Sequence, residues 1–415
     1  MKKKILYIVR FFSGLKSSLD TGVWDPKGVP TIYKMMESLD KSKFEVEFIL
    51  SNYNLFLSSK FKNFYTKGSV KNFKSKFHIL SFYSDKNFFF RKIESIFFII
   101  RKYYFLINLI KEYRPDLIYI DRAHVIEGAI IKNIFNCKVF LRIMGVEVYN
   151  YNNILKGQTI FSYITRWAFK NNFDHILFSE DGSNINSFKI KYLNKKIKTS
   201  TFINGVKKKA SDVNHFKHIK EKYSSKIKLL FVSRLETNKN CDLLINSVAN
   251  LDDQSKKKIV LFVVGSGSQL KNLENLVKTK KIEGSVKFLG SVAHNKINDI
   301  YDISDIFISL NSTGNMSNTC LEAFNSGICC IIPEENKENG CDKVIQNYVK
   351  NNSIIRVPFV KMGTHLTSIL RNLIKNNTQL KIYAKNIKKD SKKFLTSWDL
   401  RVKKEITLID KIIKN

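Results

Sequence analysis

Apolar residues along this chain gather in short runs bounded by charge. KILYIV (4–9), FEVEFIL (44–50), DLIYI (116–120), KVFLRI (138–143) and HILFS (175–179) each end in polar or turn residues. Such runs read as strands buried on both faces, the pattern of a parallel sheet. Between them the apolar spacing turns helical, near 30–39 and over an aromatic-rich stretch at about 88–113. The alternation predicts a doubly wound α/β domain. INGVK (203–207) is a turn, and a lysine-rich connector follows to about 226. A second series then begins with IKLLFVSR (227–234), IVLFVVGSG (259–267), VKFLG (286–290) and DIFISL (305–310), again with helices between, one of them around 295–302. The last thirty residues read as helix. The organisation expected is therefore 1–204, 205–385 and a terminal helical segment 386–415.

A length of 415 residues suits two cores of this size. The formal charge of +35, from 71 Lys and Arg against 36 Asp and Glu, calls for an anionic partner or simply a lysine-coated surface. Residues 60–84 carry six lysines and no acid among Phe61, Phe64, Tyr65, Phe73, Phe77, Phe82 and Tyr83. Together with the aromatic helix expected at about 88–113, that run predicts a basic, apolar-studded face able to lie on an anionic membrane, with a solvated loop as the alternative. The same run is the one argument for a nucleic-acid binder, and no RNA- or DNA-binding motif accompanies it. No nucleic-acid partner is expected. Six cysteines without a CxxC pair read as reduced thiols of a cytoplasmic protein, and no metal-ligand spacing is present. FFFRKIESIFFIIRKYYFLINLI is cut by charge too often to span a bilayer.

In open α/β sheets ligands bind beyond the carboxyl ends of the strands. Three loops of the second series qualify. VSRLETNKN offers Arg234 and Lys239, a planar fork of donors and a point charge suited to a diphosphate. VVGSGS, with Gly265 and Gly267, reads either as a phosphate-facing loop or as a tight strand-to-helix turn. In NSTGNMSNTCLEAFNSG (311–327), Ser317, Asn318 and Thr319 precede a helix expected near Cys320, whose first N–H groups would face an anion. Glu322 then falls in the first helical turn, where it either stabilises the helix start or reads neighbouring hydroxyls.

Taken in order, FVSRLETNK, VVGSGS, VKFLGSV and SNTCLEAFNSGICCIIP resemble the nucleotide-sugar domain of glycosyltransferase family 4, retaining enzymes of the two-domain GT-B fold. KILYIV, the KGVP loop, RPDLIYI and INGV extend the resemblance over the first half. It implies that Arg234 and Lys239 hold the donor diphosphate, that Glu322 binds the ribose hydroxyls, and that the backbone at Asn318 and Thr319 touches the phosphates. Gly28 corresponds to the first-domain glycine that approaches the donor. Two departures stand out. Where the family has a glutamate eight residues before Glu322, this chain has Gly314; where it has a first-domain histidine, this chain offers Met144, or His124 as a substitute.

The resemblance further implies a sugar transfer from a nucleotide-sugar donor, such as a UDP- or GDP-sugar, to a glycan or lipid-linked acceptor of a bacterial surface polysaccharide. The anomeric configuration is retained, no metal or other cofactor is needed, and the terminal helix crosses back to the first domain. The alternative is a nucleotide-sugar-binding protein of this fold with impaired catalysis, Gly314 being the lesion.

Overall fold

A computed structural model describes residues 2–26, 28–53, 63–84, 86–146, 154–207, 215–293 and 296–415. The apolar runs become the strands of two sheets. The first holds β1 (Lys4–Arg10), β2 (Glu45–Tyr53), β3 (Tyr65–Val70), β4 (Phe73–Phe82), β5 (Leu117–Asp121), β6 (Lys138–Met144), β7 (His175–Glu180) and β8 (Thr199–Ile203). Their order is β3-β4-β2-β1-β5-β6-β7-β8. The second holds β9 (Ile227–Val232), β10 (Ile259–Val264), β11 (Val286–Gly290), β12 (Ile306–Ile308), β13 (Cys329–Pro333) and β14 (Ile355–Val357), in the order β11-β10-β9-β12-β13-β14. Neighbouring strands run parallel except β3 against β4. In each sheet the order reverses beside its first strand, between β1 and β5 and between β9 and β12.

Side-chain alternation divides each sheet between two cores. From β1, Leu6 and Ile8 enter one cluster while Ile5, Tyr7 and Val9 enter the other. From β10, Ile259, Leu261 and Val263 face one side and Val260, Phe262 and Val264 the other. These strands are apolar at successive positions because both faces are covered by helices.

The basic aromatic run requires a correction. Residues 60–62 lie outside the described residues; the remainder forms the β3–β4 hairpin. Phe73, Phe77 and Phe82 are buried in the cores, and Lys67, Lys71, Lys74 and Lys76 point to solvent. Those three phenylalanines are therefore used inside the fold. The exposed apolar surface lies on the aromatic helix expected to share that face, Phe88–Tyr113, and on Ile160–Lys170; together they carry thirteen of the twenty exposed large apolar side chains among the described residues.

Helix Asn377–Phe394 stays with the second domain, burying Ile387 in its core. Helix Trp398–Lys414 returns to the first, where Trp398, Val402, Ile409 and Ile413 join the cluster of β1 and β5. The crossing is tight. Val206 donates its N–H to Thr396 O at 2.9 Å, and a Cβ on Gly205 would meet Trp398 Cα at 2.5 Å. The returning helix buries Glu405 between Arg142, 3.3 Å away on β6, and Arg401, 2.6 Å away on its own face. Burial alone would raise the Glu405 carboxyl, but the two guanidiniums outweigh it and hold it below the ordinary range.

Candidate active site

The loops after β9 and β12 meet where the second sheet reverses its order, the place at which open α/β sheets form a crevice. Arg234 is exposed just beyond β9, and Lys239 is half-buried five residues on. Lys239 Nζ donates to Asn311 Oδ1 at 3.0 Å, and Asn240 Nδ2 donates to Leu310 O at 2.8 Å, so the two loops are clamped together. Burial, and then the neighbouring Arg234, pull the Lys239 ammonium below its ordinary value. Two cations held this close favour an anion between them, whose charge would reverse that shift.

The helix beyond β12 spans Asn318–Ser326 with Ser317 as its N-cap residue. The Ser317 side chain does not cap it; its Oγ lies 3.0 Å from Thr319 Oγ1 and 3.4 Å from Cys320 Sγ. The first-turn N–H groups are thus left without a side-chain acceptor from the cap. Lys239 senses the Cys320 thiol, which puts the ammonium beside this helix start. Asn204, from the domain junction, donates to Asn318 Oδ1 at 2.8 Å.

Glu322 is not in the first turn. The helix begins two residues earlier than expected, which moves Glu322 into the second turn, and only 5% of the residue is exposed. A dipole role fades within one turn, so that reading loses its basis. Burial pushes the Glu322 carboxyl up to about 8, and Tyr301 Oη approaches at 3.4 Å. Tyr33, from the first-domain helix Pro30–Asp40, feels this carboxyl as well, so Glu322 lies within electrostatic reach of the first domain.

The glycines take different parts. A Cβ on Gly265, at φ +135°, would lie 1.8 Å from Ser233 O, and one on Gly267 would lie 2.4 Å from Leu235 O. Their bareness lets the β10 loop close on the Arg234 loop, where Leu235 N–H donates to Ser266 O at 2.9 Å. That packing supports the tight-turn reading without excluding phosphate contact. Gly28, at φ +66°, has open space around it and leads into helix Pro30–Asp40 on the opposite side of the cleft. Gly314, at φ +118°, is pressed on the first domain: a Cβ would lie 2.5 Å from Asp181 O.

Beneath Gly314 lies a polar network that the sequence reading missed. Asn315 is fully buried, accepts from Ser309 Oγ at 2.6 Å and donates through Nδ2 to Asp342 Oδ2 at 2.6 Å. Asp342 N–H in turn donates to Gly182 O at 2.7 Å, and Met316 N–H to Asp181 O at 3.0 Å, tying this loop to the end of β7. Only the abundance of Asn, Ser and Gly in the motif hinted at it. Met144 ends β6, and its carbonyl accepts from Arg122 Nη1 at 3.1 Å. His124 lines a cavity built wholly from first-domain residues, apart from the site of Arg234, Lys239 and Glu322.

Residues 212–393 match the family described as Glycosyl transferases group 1. An uncharacterised glycosyltransferase of Methanocaldococcus jannaschii is 32% identical over 212 residues, covering 49% of this chain and 50% of its own. The phosphatidylinositol N-acetylglucosaminyltransferase GPI3 subunit of Saccharomyces cerevisiae is 26% identical over 122 residues, 29% of this chain and 26% of its own. The chain thus matches half or less of the length of these relatives. Among solved structures, sucrose-phosphate synthase of Thermosynechococcus elongatus superposes with a TM-score of 0.70 at 13% identity over the whole of both chains. Anabaena HepE in complex with UDP-glucose gives 0.68 at 15% identity, over 98% of this chain and 99% of that one. These likenesses show the GT-B fold.

Proposed function

We propose that this protein is a retaining glycosyltransferase using a nucleotide-sugar donor; support comes from the match of residues 212–393 to the group 1 glycosyl transferases and from the GT-B fold. One observation carries the reading: Arg234, Lys239 and the uncapped start of helix Asn318–Ser326 converge where the second sheet reverses its order. The diphosphate binds there, and Glu322 with Tyr301 beside it receives the ribose hydroxyls. As the glycosidic bond breaks, negative charge grows on the leaving diphosphate, and the two cations stabilise that charge more than they stabilise the bound donor. The departing diphosphate takes the acceptor proton, so no protein nucleophile and no metal are required.

The acceptor reaches the first domain from a membrane surface. Support comes from the exposed apolar side chains of helices Phe88–Tyr113 and Ile160–Lys170, with exposed Arg91, Lys92, Arg101, Lys156 and Lys170 among or beside them. Cations beside apolar side chains suit an anionic lipid interface. Among the described residues no helix is long and apolar enough to cross a membrane.

A thermal-shift series against UDP-, GDP- and CMP-sugars tests the donor site. A donor at a hundred times its dissociation constant should stabilise the fold by about 2.7 kcal/mol. No response to any nucleotide sugar, with the protein folded, would overturn the proposal.

A further inference from the structure

The first domain holds a cavity of about 660 Å³ between helices Phe88–Tyr113, Val125–Ile134 and Ile160–Lys170. Its volume falls within the roughly 300–1,000 Å³ of small-molecule sites. Ile99, Ile130, Ile154, Phe161 and Ile164 make its walls largely apolar. At one end stands His124, 3% exposed, with neither ring nitrogen hydrogen-bonded. Its Nδ1 is 3.5 Å from Glu127 Oε1, a carboxylate that the buried Lys102 already engages. Nε2 is left with no hydrogen-bond partner, which is costly for a buried imidazole unless something else supplies one.

The cavity has two directions. Ile99, Phe161 and Ile164 belong both to its wall and to the exposed apolar face of the two helices, so it opens towards the lipid side. Its other wall includes Arg122, whose Nη1 donates to Met144 O and Gly145 O, both at 3.1 Å. Those carbonyls lie at the carboxyl end of β6, on the cleft side, and Gly145 abuts Asp181, whose carbonyl contacts the Met316 loop.

We infer that this cavity seats the hydrocarbon chain of an amphiphilic acceptor, with His124 and Arg122 directing its polar head towards the cleft. The occupant must be apolar along its length and polar or anionic at one end, because the walls are largely apolar and Arg122 and His124 stand among them. The inference deepens the transferase reading and rests on it for calling the amphiphile an acceptor; the chain site itself stands on the cavity.

The test uses the full chain with 11-(dansylamino)undecanoic acid as a chain probe, read by dansyl fluorescence. Ile99→Trp and Ile164→Trp, at half-exposed positions, fill the cavity from two helices without opening the core. UDP affinity and melting temperature are measured for each, as is partition onto phosphatidylglycerol vesicles. The expected result is binding to the parent chain that weakens about tenfold or more in both variants, a loss of ~1.4 kcal/mol, with UDP binding and melting temperature retained and vesicle partition changed by much less than probe binding. No binding to the parent chain, binding in both variants as tight as in the parent, or probe and vesicle binding falling in the same proportion would overturn it. Probe binding in a chain that ignores every nucleotide would sink the transferase reading and keep the chain site.

Discussion

Arg234 and Lys239 sit at the crevice of the second sheet for an electrostatic reason that also makes them testable. If their charge acts mainly on the leaving diphosphate, Arg234→Ala and Lys239→Ala should each lower kcat by on the order of 10²–10³ and also weaken donor binding. Steady-state kinetics and nucleotide titration separate the two effects, and a variant altered in KM alone would limit that residue to binding. Glu322 makes a different prediction. Its folded value of about 8 lies above the unfolded carboxyl's roughly 4.3, so its favourable contribution is complete below that lower value and is lost as pH rises towards 8. Glu322→Gln should therefore gain melting temperature over the wild type at pH 8 and little at pH 4.5. Ribose hydroxyls donating to the carboxyl favour its ionised form, so donor binding near pH 7 should release a proton. Calorimetry in buffers of different ionisation enthalpy reads that release, and a buffer-independent heat would remove Glu322 from the ribose site.

At the scale of elements, the loop between β12 and helix Asn318–Ser326 is held by its own asparagines and by the first domain. Gly314 shows what this does to a familiar motif. The family's glutamate at this position would need a left-handed backbone and a Cβ 2.5 Å from Asp181 O. Gly314→Glu should thus destabilise the chain by roughly 1–3 kcal/mol without improving donor affinity. Thermal unfolding with nucleotide titration checks this, and an unchanged melting temperature joined to tighter donor binding would contradict it. Strand runs such as KVFLRI and VKFLG were legible because each is apolar enough to announce itself locally. The β3–β4 hairpin was not. Its lysines alternate with phenylalanines, so a half-exposed pair of strands looked like a basic surface.

Across the whole molecule, the returning helix and the cleft contacts set how the two domains stand. Glu405 is fully buried with Arg142 and Arg401 as its partners. Glu405→Ala leaves two guanidiniums uncompensated and should cost about 3–5 kcal/mol in denaturant unfolding. A loss under 1 kcal/mol would mean the cluster is bypassed by water. Because its folded value is depressed, the stability it contributes is present above the unfolded carboxyl value and fades as pH falls through the folded one. Donor binding should also tighten the cleft where Asp181 and Gly182 meet Met316 and Asp342, visible as a smaller radius of gyration in solution scattering.

What the sequence by itself determined were the properties carried by neighbours in the chain: the buried strands, their alternation with helices, and the order of three loops at strand ends. Strand burial on two faces and a cation after a strand end are local patterns, so Arg234, Lys239 and the 311–327 loop were legible as a candidate site. Tertiary structure alone decided what burial and distant contact decide. It placed Glu322 under Tyr301 and opposite Tyr33, where loss of solvent rather than a helix dipole governs its proton. It also showed Gly314 to be a point of domain contact, buried the phenylalanines of the 73–82 stretch, and left the exposed apolar side chains on helices Phe88–Tyr113 and Ile160–Lys170, the second of which the sequence had not singled out. Exposure is a property of the packed chain: which phenylalanines find a core depends on partners far away in sequence.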